Sequence, residues 1–152
     1  MFHKLLLESV HRHFSTSSKK LLKEGDKVTL VKRIFPRDIV VYADLVNDHN
    51  PVHLPGDDDD RPGIVHGTYL LGLVSGLIAS TVPGPGTILT GLEVKFRSVC
   101  PYPSTVEVTV EVGKVRKLTK TSFTITNKET SDIILTGSAS CMLTSEQLRN
   151  KE

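Results

Sequence analysis

Cysteine is scarce in this chain, with two in 152 residues, Cys100 and Cys141, and neither belongs to a C-x-x-C pair or a zinc-ligand spacing. That scarcity excludes a disulfide-stapled secreted scaffold and a structural zinc module, and it points to a reducing compartment. Cys141 lies among the apolar residues of a C-terminal strand and reads as a small buried thiol. Charge of one sign is also lacking, since 19 Lys and Arg stand against 17 Asp and Glu, a net charge of +2. That is too little for a nucleic-acid surface, and no DNA- or RNA-binding motif accompanies it. Long hydrophobic runs are missing too: the most apolar stretch, His66 to Thr81, has 16 residues broken by Gly72 and Gly76. A membrane-spanning helix needs about 20. No internal repeat and no interdomain linker is found. What is present, 38% apolar and 24% charged residues, is the composition of one globular domain with a real core.

Residues 1–20 carry Lys4, Arg12, three histidines, several Ser and Thr, and a single acid, Glu8. Leu5, Leu6 and Val10 share one helical face, the basic amphipathic pattern of a mitochondrial presequence; a disordered or docking tail is the alternative. The apolar stretch there is too short for a secretory signal. The domain proper is expected over residues 21–145, followed by a polar tail over 146–152.

Alternating apolar residues predict a strand over Lys27–Ile34, with Val28, Leu30 and Ile34 on one side. Pro36 is well placed to start a helix that continues through Ile39, Val40, Ala43 and Val46. A buried helix is expected from His66 to Thr81, and its two glycines, four apart, let it lie close to a sheet. Pro83-Gly84-Pro85-Gly86 ends it. Strands are predicted over Thr87–Val99, Thr105–Val112, Lys120–Asn127 and Ile133–Leu143, joined by tight connections. Strand, helix, buried helix and four strands make an α+β architecture in which a curved antiparallel sheet wraps one long central helix.

The chemistry gathers at Asp48-His49-Asn50-Pro51-Val52-His53 and Ile64-Val65-His66-Gly67. Pro51 forces Asn50 out of the helical region, and the resulting turn points Asp48 and His53 into one pocket. A carboxylate and an imidazole, with unperturbed pKa values of about 3.9 and 6.5, divide proton removal and proton delivery around a shared water. The bland alternative is a structural Asn-Pro turn. Gly67, at the start of the next helix, offers an amide with no intrahelical partner where a developing oxyanion is stabilised. His66 reads either as a helix-start residue or as part of the site. Asp57 to Asp60 form a run of four carboxylates that repel one another and read as a solvated loop rather than a metal cage. No metal and no cofactor is expected.

D-H-N-P-V-H, I-V-H-G before a Leu- and Gly-rich helix, and P-G-P-G-T together resemble the MaoC-type (R)-specific enoyl-thioester hydratases and 3-hydroxyacyl-thioester dehydratases, over about Glu24 to Leu143. The resemblance implies a hot-dog fold, Asp48 and His53 as the catalytic pair, and the Gly67 amide as donor to the thioester carbonyl. It also implies Ser75 as a helix residue of the site, with Asn50 and His66 beside the substrate and Asn50 securing the turn. The implied substrate is an acyl thioester on coenzyme A or an acyl carrier protein, handled by a homodimer. A hot-dog thioesterase and a non-catalytic acyl-binding protein are the rival classes. Lys95 and Arg97 form one basic group near the pocket, and Lys114, Arg116, Lys117 and Lys120 form a second. With the presequence-like start, these groups direct the expectation towards the carrier protein of fatty-acid synthesis in the mitochondrial matrix. Two departures from the family stand out. Val46-Asn47 replaces the usual Ser/Thr-Gly, with Asn the next-best residue for a left-handed turn, and Val99 to Ser104 replaces P-V-x-x-G-D.

Overall fold

The computed structural model describes residues 21–56 and 60–149. The expected presequence and Asp57 to Asp59 of the acidic loop lie outside the described residues. Within them the order is β1 (Lys27–Ile34), α1 (Pro36–Val46), α2 (Gly67–Ser80), β2 (Ile88–Phe96), β3 (Ser104–Val112), β4 (Leu118–Asn127), β5 (Ile133–Met142) and the short α3 (Ser145–Arg149). Each expected strand and both expected helices are found within a few residues of the ends that periodicity predicts.

The five strands form one sheet in the order β1-β3-β4-β5-β2, and every neighbouring pair is antiparallel. The alternation of Val106, Val108, Val110 and Val112 with Thr and Glu puts all four valines on the inner face, each no more than 1% exposed. Burying a valine contributes about 1.5–3 kcal/mol, so β3 alone anchors much of the core. Leu70, Val74, Leu77 and Ile78 of α2 pack against that face in the same cluster as Phe123, Ile125 and Leu135. A central helix held in an antiparallel sheet is the hot-dog arrangement.

The expectation of four strands joined by tight connections needs one correction. β2 does not pair with β3; it pairs with β5, from Ile88↔Met142 to Phe96↔Leu135, at the far edge of the sheet. Residues 97–103 therefore carry the chain from one edge back to the strand beside β1. Pro101 and Pro103 lack the N–H groups that a hairpin ladder needs, and the segment pairs instead with the approach to α2, through an Ile64↔Pro101 bridge. At the C-terminus the polar stretch is ordered as α3. Gln147 accepts from the Thr144 N–H at 2.8 Å and donates to Thr87 Oγ1 at 2.9 Å, tying α3 to the turn before β2.

Both cysteines are free and buried, in agreement with the expectation for Cys141. Gly137 sits in β5 where an added Cβ would run into the Glu93 carbonyl and the Phe123 ring. Since overpacking in a filled interior costs about 1–3 kcal/mol, Gly137→Ala is expected to lower the urea midpoint by a corresponding amount, and an unchanged midpoint would contradict this.

Candidate active site

α1 ends in a left-handed residue, Asn47, with φ 56° and ψ 40°, a conformation asparagine tolerates better than most residues. The N–H groups of Asn47 and Asp48 both turn back to the Ala43 carbonyl, the latter at 3.0 Å, closing the helix and presenting Asp48 at its end. The loop that follows is a chain of local hydrogen bonds. The Asn50 N–H donates to Asp48 Oδ1 at 3.3 Å, the Val52 N–H donates to Asn50 Oδ1 at 3.2 Å, and the His53 N–H donates to the Asn50 carbonyl at 2.8 Å. Asn50 therefore staples the turn, and its side chain is exposed rather than directed at the substrate cavity.

Two carbonyls assign the histidine tautomers, because a carbonyl can only accept. His53 Nδ1 lies 2.8 Å from the Ile64 carbonyl, so Nδ1 carries the hydrogen, and in the neutral ring Nε2 is the nitrogen with the lone pair. That Nε2 stands 3.8 Å from Asp48 Oδ2, beyond a direct hydrogen bond but close enough for one water beside the gap to reach both. His66 Nε2 lies 3.0 Å from the Asp48 carbonyl, and donates to it. Asp48, His53 and His66 each offer a ligand atom within 4.8 Å of the others. They fit a metal poorly: His53 Nδ1 is already committed to the Ile64 carbonyl and His66 Nε2 to the Asp48 carbonyl.

A cavity of about 290 Å³ opens beside this pair, lined by His53, Gly67, Cys100, Ser98 and the apolar Ile64, Val65, Leu70, Phe96, Val99 and Ile134. Gly67 is the first residue of α2, so its N–H has no intrahelical acceptor and carries the positive end of the helix dipole. A Cβ on Gly67 would come within 2.7 Å of the Phe96 ring. The glycine is thus required by the aromatic that roofs it, and not only by an approaching carbonyl as the motif implied. Burial pushes the Cys100 thiol above its usual range, against a partial lowering by the Ser104 hydroxyl, so the cavity wall holds a protonated thiol and not a nucleophile.

Several residues named from sequence stand elsewhere. Ser75 lies eight residues along α2 from Gly67, about 12 Å at 1.5 Å per residue, and does not line the cavity. Val94 packs in the core and Phe96 faces Gly67, so strand alternation turns Lys95 to the outer face, beside Thr136 and Ser138. Arg97 follows at the exposed strand end, its N–H bound to the Ile134 carbonyl at 2.8 Å. The second basic cluster sits at the far end of the sheet from this pocket. Leu118 pairs with Met142 while Ile125 pairs with Leu135, which separates the Lys114–Lys120 turn from the Phe96 end by seven residues, or about 23 Å at 3.3 Å each.

Sequence reasoning missed Tyr102. Its hydroxyl donates to the His53 carbonyl, its N–H donates to the Gly63 carbonyl at 3.0 Å, and the Val65 N–H donates to the Cys100 carbonyl at 2.8 Å. The crossing segment is therefore the wall that holds the Asp48–His53 turn. No spacing rule links Tyr102 to a histidine 49 positions earlier; only the topology does.

The MaoC like domain model matches residues 14–133. The chain belongs to the MaoC-like family. This MaoC-like chain is 31% identical over 127 residues to the (R)-specific enoyl-CoA hydratase of Rhodospirillum rubrum, covering 80% of this chain and 88% of that one. A further relative is a mitochondrial 3-hydroxyacyl-[acyl-carrier-protein] dehydratase of Arabidopsis thaliana, 31% identical over 94 residues, covering 59% of this chain and 55% of that one. Among solved structures, the (R)-hydratase of Aeromonas caviae superposes with a TM-score of 0.74 at 30% identity, over 81% of this chain and 98% of that one.

Removing the hydroxyl in Tyr102→Phe leaves the His53 carbonyl without its donor and frees the turn. Since small misplacements of reacting groups are costly, kcat for thioester turnover is expected to fall about tenfold while KM changes less than about twofold. Steady-state kinetics on wild type and variant decides this, and an unchanged kcat would remove Tyr102 from the site.

Proposed function

We propose that this MaoC-like chain is a hydro-lyase that interconverts a (3R)-hydroxyacyl thioester and a trans-2-enoyl thioester. The observation that carries the reading is the 3.8 Å approach of Asp48 Oδ2 to the bare His53 Nε2, at the rim of an apolar cavity that also presents the Gly67 amide. An acyl chain lies in the cavity, and the Gly67 N–H donates to the thioester oxygen, stabilising the charge that builds there as the α C–H bond weakens. The Asp48–His53 pair carries the proton from the α-carbon to the departing hydroxyl, the C–O bond breaks, and water leaves; hydration is the reverse. Both groups act from one side of the cavity. The names of the Rhodospirillum and Aeromonas relatives support this reaction.

Crotonyl-CoA is the first substrate to try, followed by loss of the enoyl-thioester absorbance. Wild type should hydrate it, and Asp48→Asn and His53→Ala should each lose at least about 100-fold in kcat, the lower range for a general acid–base group. Release of free thiol instead of hydration would replace this reading with a thioesterase.

A homodimer is part of the proposal. β2 is an edge strand whose inward Leu92 and Phe96 remain 42% and 57% exposed, and α2 presents Gly72 and Gly76 to open space. A second copy laid along that edge covers both features. Light scattering at micromolar concentration is expected to give twice the chain mass; a monomer contradicts this.

The natural carrier is proposed to be an acyl carrier protein of mitochondrial fatty-acid synthesis in the matrix. The basic, acid-poor composition of residues 1–20 supports it, as do the name of the Arabidopsis relative and the exposed Lys95 and Arg97 at the pocket end of β2. An acidic carrier would be drawn by those charges, an effect that salt screens. The kcat/KM for a carrier-bound substrate should exceed that for its coenzyme A form at low salt, and Lys95→Glu/Arg97→Glu should erase the difference. Equal slowing of both forms would limit the reading to the thioester chemistry alone.

A further inference from the structure

No step of the reaction above uses His66, although it is the most deeply buried polar side chain near the site, at 1% exposure. Its Nε2–H holds the Asp48 carbonyl at 3.0 Å. Its ring lies against the His53 ring, with centroids 3.7 Å apart and planes inclined by 24°. Tyr42 closes on it edge-on at 5.2 Å and is itself met edge-on by Tyr69 at 5.4 Å. His66 does not line the cavity, so the substrate-contacting place assigned from sequence does not suit it.

We propose that His66 is a positioning residue that sets the separation of Asp48 and His53, an inference that rests on the hydro-lyase reading of that pair. His53 is tethered through Nδ1 to Ile64, a single hydrogen bond about which the ring can tilt; the face of His66 blocks that tilt on one side. Asp48 follows directly on a helix end, and the hydrogen bond to its carbonyl fixes the backbone from which the carboxylate projects. One side chain thus touches the main chain of the acid and the ring of the base. The next residue, Gly67, supplies the amide donor, so all three reacting groups are referred to one point. A helix start needs none of this. Ser, Thr, Asp or Asn caps better, and His66 makes no side-chain cap at α2. It also leaves Nδ1 buried without a hydrogen-bond partner among the described residues, an arrangement proteins seldom keep without a reason.

The test is a double-mutant cycle in the full chain with crotonyl-CoA as probe. His66→Phe keeps a ring against His53 and loses the donor to Asp48; His66→Gln keeps an N–H for the Asp48 carbonyl and loses the ring. Each is expected to lower kcat by about tenfold to 100-fold, with KM within about twofold, because displacement of the reacting groups by an ångström costs up to that factor. In a His53→Ala background, the same substitutions should cost less than about twofold, since residues that act through one another are not additive. Circular dichroism and melting curves establish the fold of each variant, and either substitution alone completes a cycle. A rise in KM at unchanged kcat, or losses that multiply in the His53→Ala background, overturns the positioning role while leaving the hydro-lyase reading intact. A wild type that does not hydrate the thioester overturns both.

Discussion

The hydrogen bond from His53 Nδ1 to the Ile64 carbonyl, 2.8 Å long, is the constraint on which the site depends. It puts a hydrogen on Nδ1, turns Nε2 towards Asp48, and joins the two motif segments across the loop between them. The Ile64 carbonyl is in place only because the Ile64 region bridges to Pro101 and Val65 bonds to the Cys100 carbonyl. That crossing segment exists because β2 lies at the far edge of the sheet from β3's neighbour β1. Local chemistry at one histidine thus requires the topology of the whole domain.

The secondary structure was legible because its signals are strong and local. β3 alternates inward valines with outward Thr and Glu, Pro36 starts α1, and Pro83 to Gly86 ends the reach of α2. Asn47 is the clearest case of chemistry read from residue type: a left-handed conformation was expected of it, and its φ is 56°. The pairing of β2 with β5 was not legible, because strand order depends on long-range packing that adjacent periodicity does not encode. For the same reason nothing in the sequence marks Tyr102, or separates the Lys114–Lys120 turn from the pocket at the other end of the sheet.

Within the site, sequence named the chemical groups but not their division of labour. Asp48, His53 and Gly67 come together as the motifs imply, whereas Asn50 is committed to the turn and Ser75 stands two turns away along α2. Lys95 illustrates the limit of one-dimensional reading: alternation puts it on the strand face opposite Val94 and Phe96, as expected, and that face lies outside the cavity. Gly67 carries two requirements at once, since the Phe96 ring packs where its side chain would be while its amide faces the cavity. The cavity is apolar apart from His53, Ser98 and the Cys100 thiol, whose pKa burial raises, and the Asp48 carboxylate approaches that His53 to 3.8 Å.

The central claim is that Asp48, His53 and the Gly67 amide act on one face of an enoyl thioester. Hydration of crotonyl-CoA in D₂O, with the product examined by NMR and chiral analysis, tests it most directly. The account predicts a (3R)-hydroxyl with a single deuterium at C2, added to the same face as the oxygen. A (3S) product, addition to opposite faces, or deuterium scrambled between both C2 positions at early times would contradict it.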